Sequence, residues 1–123
     1  LRPNINIIDM VNSYIELINA KNELINGEIF NVGDVNLSVK ELAFLVKSVV
    51  GDDVNLKFIE SDDNRSYHIS SKKITEKLGF NLKSSLKEAI SSLYDALENK
   101  LLDDPLNNPK YYNIKTMQKI NLK

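Results

Sequence analysis

The sequence predicts a mixed α/β fold with about four helices and three short strands in 123 residues. Three observations lead to this prediction: helical spacing of apolar residues in four segments, β-rich runs beside glycines, and serine-led capping boxes. The composition agrees, because 42% of the residues are hydrophobic and 27% are charged, as in ordinary soluble domains. Three short strands are few for a sheet, so we expect that some strand partners are missing.

The first predicted strand and helix lie at the start of the chain. Ile5, Ile7 and Ile8 partly alternate with polar residues, which indicates a short strand that ends at Asp9. Asp9 is a good N-cap for a helix predicted over 10–21. Apolar residues recur there at helical spacing, namely Val11, Tyr14, Ile15 and Ile18.

A second strand and helix follow. The run Glu28–Gly33 is rich in β-forming residues and predicts a short strand. Ser38 and Glu41 have the spacing of a capping box, so a helix is expected to begin there and to end at Gly51. Its predicted buried stripe consists of Leu42, Leu45, Val46 and Val49.

The third strand is predicted at Leu56–Ile59, and the polar run 60–65 after it is expected to be an exposed loop. Ser70 or Ser71 can cap a short helix that carries Ile74 and closes at Gly79.

A second capping box, Ser85 with Glu88, predicts the last long helix. Its apolar face consists of Leu86, Ala89, Ile90, Leu93 and Leu97. Residues 100–123 contain two prolines and are expected to form an irregular tail.

Charge and cysteine content exclude several classes of function. Sixteen basic and seventeen acidic residues give a net charge of -1, so no broad positive field is available for nucleic acid or a membrane. There are no cysteines, which excludes disulfides, thiolate nucleophiles and Cys-based zinc sites and agrees with a cytoplasmic protein. The residues at Leu1 have the pattern of neither a natural protein start nor a targeting signal. We therefore expect that this sequence was cut from inside a longer chain.

Four segments, in order, resemble the C-terminal half of the extended short-chain dehydrogenases/reductases, the NAD-dependent epimerases and dehydratases of nucleotide sugars. They are Arg2-Pro3-Asn4-Ile5-Asn6-Ile7-Ile8-Asp9, Gly27-Glu28-Ile29-Phe30-Asn31-Val32-Gly33, Asp63-Asn64-Arg65-Ser66-Tyr67 with the helix Ser71 to Phe80, and Ser85-Leu86-Lys87-Glu88-Ala89-Ile90. Their order and spacing span nearly the whole chain.

The resemblance implies that residues 1–123 are the C-terminal nucleotide-sugar-binding portion of such an enzyme, an isomerase or lyase of carbohydrate biosynthesis. The missing N-terminal Rossmann domain would carry NAD and catalysis, and the intact enzyme would be a homodimer, as is common in the family. The four glycines present cannot form the glycine-rich turn that binds a dinucleotide, so this chain alone is not expected to bind NAD or to be catalytic. One histidine and scattered carboxylates predict no metal site.

Arg2 and Arg65 are the leading candidates for binding the nucleotide-diphosphate sugar. A guanidinium makes paired, charge-assisted hydrogen bonds to a diphosphate, and arginines at the matching family positions contact the diphosphate or ribose. Solvated arginines, or pairs with Asp9, Asp62 or Asp63, are the structural alternative.

Two further residues are candidates for the same site. Asn31 would sit at a strand end beside Gly33, where its amide can contact a nucleotide or, equally, satisfy turn backbone. Tyr67 could contact ligand, but packing is the commoner role of such an aromatic.

Tyr111 and Lys115 match the catalytic Tyr-x-x-x-Lys spacing, but they follow Pro109 in the predicted tail, so we reject them as a catalytic pair. His68 has no recognisable nucleophile partner and is expected to be structural or exposed. The alternative to an enzyme portion is a free-standing, non-catalytic binding or protein-interaction domain, in which amphipathic helices meet a partner.

Overall fold

The computed structural model describes residues 1–60 and 65–121. The elements in these ranges are β1 (Arg2–Asn4), α1 (Ile7–Asn19), α2 (Asn22–Ile25), β2 (Val35–Leu37), α3 (Val39–Val50), α4 (Lys72–Leu78), α5 (Leu86–Glu98), a 3₁₀ turn (Pro109–Tyr111) and α6 (Asn113–Lys119). The mixed α/β class is confirmed, although the described residues contain six helices and one two-stranded sheet. Two compact units are present, Leu1–Ser92 and Leu93–Lys123.

The sheet joins the beginning of the chain to the residues just before α3. β1 and β2 pair antiparallel, with Arg2 opposite Leu37 and Asn4 opposite Val35. A two-stranded sheet is marginal by itself. The side chain of Asn36 adds a link by accepting from the Ile69 amide and donating to the Ile69 carbonyl oxygen, each at 2.9 Å. The residues before α4 are therefore attached to β2.

The start of α1 differs from the prediction. Asn6 is the N-cap, because its side chain accepts a hydrogen bond from the amide of Ile8 at 3.0 Å. The strand predicted through Ile8 is therefore wrong, and so is Asp9 as the N-cap. The strand is Arg2–Asn4, and Asp9 lies in the first turn of the helix.

Asp9 instead connects α1 to the residues that precede α5. Its side chain is fully buried and accepts from the Lys83 amide at 2.9 Å, the Ser84 amide at 2.9 Å and the Ser84 hydroxyl at 2.8 Å. Burial alone raises the pKa of Asp9, but these hydrogen bonds outweigh that effect and hold the pKa below its usual value.

The predicted helix ends are confirmed where they depend on local capping. Ser38 and Glu41 form a complete capping box at α3. Ser85 and Glu88 form the reciprocal bonds of the second box, with the Ser85 amide 2.6 Å from the Glu88 carboxylate. Gly79 ends α4 in the left-handed region at φ 70°, a conformation that glycine adopts without steric cost.

The segment Glu28–Gly33 forms no strand, so the prediction of a strand there is wrong. Its polar groups are satisfied by side chains of the α4 region rather than by a neighbouring strand. The Glu28 carboxylate pairs with Lys73 at 2.6 Å, and the Ser71 hydroxyl contacts both the amide (2.8 Å) and the carbonyl oxygen (2.7 Å) of Gly33. Ser71 consequently makes no side-chain cap at α4.

The segment Leu56–Ile59 also forms no strand, which corrects the third strand prediction. Phe58 and Ile59 are 64% and 78% exposed. The Phe58 ring lies 6.4 Å from the ring of Phe44 on α3, centroid to centroid. The apolar side chains of Phe58 and Ile59, which predicted a strand, are thus part of the surface beside α3.

The apolar core among the described residues is small, with Ile74 and Phe80 as its buried hydrophobic members. α1 is oriented with its polar side inward, since Asp9 and Ser13 are buried. Six large apolar residues of α1 are 49–80% exposed, and we refer to them as the α1 stripe: Ile7, Ile8, Val11, Tyr14, Ile15 and Ile18.

The predicted irregular tail is partly helical, because it contains the 3₁₀ turn and α6. The Tyr112 hydroxyl donates to the Leu106 carbonyl oxygen at 2.6 Å, and the Thr116 hydroxyl donates to that of Pro109 at 2.7 Å. None of the helices in the described ranges combines the length and the apolar character that a bilayer crossing requires.

Candidate ligand-binding site

Three of the four predicted site residues lie together beside β1. Arg2 Nη1 donates to the carbonyl oxygen of Arg65 and, at 3.1 Å, to that of Leu1. The guanidinium carbon of Arg2 lies 5.7 Å from the centroid of the Tyr67 ring, within cation–π range. The Tyr67 amide also donates to the Leu1 carbonyl oxygen at 3.3 Å. The structure therefore brings Arg2, Arg65 and Tyr67 into one neighbourhood.

This arrangement follows from how residues 65–71 are attached to the sheet. Asn36 binds both backbone groups of Ile69, and Ser71 binds both backbone groups of Gly33. These four hydrogen bonds fix the end of the segment, and the contacts of Arg2 fix its beginning. A chain segment without regular secondary structure is thus held in register with β1.

Asn31, the fourth predicted residue, is exposed and is not among the residues that line the cleft containing Arg2. The strand that was expected to position it is absent. A Cβ at Gly33 would lie 2.8 Å from Cδ1 of Ile69. The space beside Gly33 is therefore occupied by the Ile69 side chain.

A cleft of about 460 Å³ begins at Arg2 and extends along the first turns of α3. It is lined by Arg2, Val39, Lys40, Ala43, Leu56, Lys57, Phe58 and Ile59. Three of these described lining residues are cations and none is acidic. We call it the α3 cleft. Its volume lies in the range typical of small-molecule sites.

The α3 cleft contains residues that the sequence reasoning did not select. Lys40 Nζ lies 5.9 Å from the centroid of the Phe58 ring, whose side chain remains largely exposed. Lys40 and Lys57 are only two of many surface lysines in the sequence. No local pattern marks them, because their common location depends on how residues 56–59 pass α3.

Comparisons with protein-family models, curated proteins and solved structures found no match for this chain.

Asp9, Asp62 and Asp63 were the alternative ion-pair partners predicted for the two arginines. Both carboxylate oxygens of Asp9 bind Lys83 and Ser84, so this carboxylate has other partners. Asp62 and Asp63, the other predicted partners, lie outside the described residues.

The remaining chemical candidates have contacts of their own. Lys115 lies over Tyr112, with Nζ 4.0 Å from the ring centroid, while Tyr111 has Lys110 at 4.9 Å. The rejection of Tyr111 and Lys115 as a catalytic pair stays a prediction. His68 is exposed, and within residues 1–60 and 65–121 no cluster of three or more metal-binding side chains occurs.

Proposed function

We propose that this chain is the substrate-binding part of an NAD-dependent nucleotide-sugar epimerase or dehydratase. In this proposal it grips the nucleotide diphosphate, while the NAD-binding and catalytic residues belong to another part of the intact cytoplasmic enzyme. The proposal rests on the four ordered segments that resemble this family. The contact of Arg2 with the backbone of Arg65 and the presence of Arg2 in the lining of a cationic cleft support it.

The charge and shape of the α3 cleft suit a nucleotide. Arg2, Lys40 and Lys57 supply three positive charges, and no acidic side chain lines the cleft in the described part of the chain. An anion there is attracted without opposition from a lining carboxylate. The apolar and aromatic lining beside the cations matches a ligand that joins a diphosphate to a flat ring.

The grip contributes to catalysis in the proposed enzyme. Binding energy from the non-reacting nucleotide fixes the sugar against the nicotinamide ring and lowers the entropic cost of reaching the transition state. A weakened grip should therefore lower kcat/KM as well as affinity.

The proposal is tested by titrating the intact protein with UDP-, dTDP-, GDP- and CDP-sugars. Arg65→Ala removes one charge-assisted contact and should weaken binding of the preferred ligand by about 10–100-fold. Lys87→Ala removes one positive charge from the exposed surface of α5 and serves as the matched control. Equal affinities of wild type and Arg65→Ala would remove the role assigned to Arg65.

A second candidate is a free-standing protein-interaction domain, and the exposed helix faces favour it. The α1 stripe is open, and Leu93 and Leu97 on α5 are 56% and 43% exposed. The coding sequence upstream of Leu1 discriminates between the two candidates. A glycine-rich dinucleotide turn and a Tyr-x-x-x-Lys helix there would support the enzyme, whereas a start codon just before Leu1 would support the interaction domain.

A further inference from the structure

The charged residues of this chain are unevenly distributed along the sequence. Residues 105–123 contain none of the seventeen acidic residues and four of the sixteen basic ones, namely Lys110, Lys115, Lys119 and Lys123. Four lysines without a carboxylate give this stretch a side-chain charge of +4, although the net charge of the whole chain is -1. We call residues 105–123 the basic segment. It lies within the compact unit Leu93–Lys123.

The described lysines of the basic segment are not neutralised by carboxylates. The nearest acidic residues in the sequence, Asp103 and Asp104, accept hydrogen bonds from the side chains of Asn108 at 3.4 Å and Asn107 at 3.0 Å. The ion pairs found in the described part of the chain involve none of these lysines. Their positive charges therefore remain available to an anionic partner.

The helix α6 of this segment has an apolar face and a basic face. Ile114, Met117 and Ile120 recur every three residues, and they are 72%, 45% and 58% exposed. Lys115 and Lys119 are four residues apart and exposed. Because successive residues of a helix are rotated by about 100°, the two lysines lie on the side opposite to the three apolar residues. The helix is thus amphipathic, with an uncovered apolar face.

A bilayer surface that carries anionic lipids matches both faces. Anionic headgroups attract lysines, and each lysine near such a surface increases affinity about 5-fold. The apolar face of an amphipathic helix enters the boundary between headgroups and acyl chains. A nucleic acid matches only the lysines, because its outer surface is phosphate and sugar and would leave Ile114 and Met117 in water. The exposed apolar face therefore favours the bilayer.

We propose that the basic segment binds the surface of bilayers that contain anionic lipids. The apolar face of α6 enters the interface, while Lys115 and Lys119 remain at the level of the headgroups. The binding is peripheral and reversible, because α6 is only seven residues long and lies in the interface plane rather than across it. This inference goes beyond the proposed function and does not depend on it, since no residue of the candidate ligand-binding site takes part.

The test is sedimentation of the full chain with vesicles of phosphatidylcholine, either alone or with about 30% phosphatidylserine. We expect binding to the anionic vesicles that weakens as salt is added and is about 10-fold weaker or more on neutral vesicles. Changing Lys115→Gln together with Lys119→Gln should weaken this binding roughly 25-fold. Lys72→Gln together with Lys87→Gln removes the same charge from exposed positions outside the segment and is the matched control.

A second variant tests the apolar face. Ile114→Ser changes an exposed residue, so the fold should be kept, which circular dichroism checks, but binding to the anionic vesicles should weaken about 10-fold. Failure of the folded full chain to bind anionic vesicles, equal binding to neutral vesicles, or equal losses in the lysine variant and its control would overturn the proposal. Unchanged binding in Ile114→Ser would indicate a purely electrostatic contact, as with a nucleic acid or an acidic protein, and would overturn it as well.

Discussion

Replacing Asp9 by alanine should destabilise the fold more than any surface substitution. The change removes the acceptor for the amides of Lys83 and Ser84 and for the Ser84 hydroxyl, which lie 2.8–2.9 Å from the carboxylate. A hydrogen bond to a charged group contributes about 1.5–3 kcal/mol, and a buried donor without a partner costs about 1–3 kcal/mol. Because partial rehydration offsets some of this loss, we expect a decrease of about 3–5 kcal/mol in the free energy of unfolding.

The measurement is urea unfolding of the full chain, followed by circular dichroism. Asp9→Asn keeps one carbonyl acceptor but loses the charge and places an amide donor near other donors, so its loss should be smaller than that of Asp9→Ala. Asp53→Asn makes the same chemical change at an exposed position and should alter stability by less than about 0.5 kcal/mol. A loss below about 1 kcal/mol in Asp9→Ala would refute the role of Asp9 as a buried link.

The same link predicts a direction for the pH dependence. The pKa of Asp9 in the folded protein lies below its usual value of 3.8, so the folded state favours the ionised carboxylate. Its contribution is fully present above the unfolded pKa and is lost as the pH falls through the folded pKa. Asp9→Asn should flatten this part of the acid limb relative to wild type.

Four further predictions concern other parts of the fold. Hydrogen bonds from Lys73 and Lys77 of α4 lower the pKa of Glu28 from 4.5 to about 2. The ionised Glu28 therefore stabilises the wild-type fold above pH 4.5, and this contribution is lost as the pH falls towards 2. Glu28→Gln should remove the contribution, so its thermal melts should vary less with pH in this range. Gly33→Ala places a Cβ against Ile69 and should cost about 1–3 kcal/mol in urea unfolding; an unchanged midpoint would show that Ile69 moves aside freely. Ile74→Ala should cost about 2–5 kcal/mol in the same assay, since Ile74 is fully buried, and a loss below 1 kcal/mol would contradict its place in the core. Ile18→Ser, at an 80% exposed position, should change the free energy of unfolding by less than about 0.5 kcal/mol in the same assay, and a loss above about 1 kcal/mol would show that Ile18 contributes to the fold.

Helix ends were predictable where capping residues mark them, because these signals are local, whereas the start of α1 and the helices α2 and α6 were missed. The capping boxes at Ser38 and Ser85 and the left-handed Gly79 depend on residues within one turn, and all three have the predicted geometry. Strands were not predictable in the same way, because pairing depends on residues far apart in the chain. Val35–Leu37 forms a strand because it pairs with Arg2–Asn4. In the more β-rich run Glu28–Gly33, Glu28 and Gly33 instead bind the side chains of Lys73 and Ser71.

The candidate site also depends on contacts between residues far apart in the chain. Arg2 contacts the backbone of Arg65 and the ring of Tyr67, and the roles of these three residues in ligand binding stay predictions. The cleft itself was missed, because an exposed phenylalanine and two lysines become a site only when residues 56–59 lie against α3. Asn31 was selected for a strand end that does not form, and it is exposed and does not line the α3 cleft.

The α1 stripe connects stability to the proposed function. Each of its six exposed apolar side chains forgoes on the order of 1–2 kcal/mol of burial, so covering all of them would contribute roughly 10 kcal/mol. That sum is comparable to the whole stability of an ordinary domain. Under the proposed function, we expect the catalytic part of the enzyme to supply the surface that covers the stripe. Since Asp9 attaches the opposite, polar side of α1 to the residues before α5, covering the stripe would also stabilise the unit that holds Arg2 and Arg65. Ligand affinity should then depend on the catalytic part even if that part makes no contact with the diphosphate.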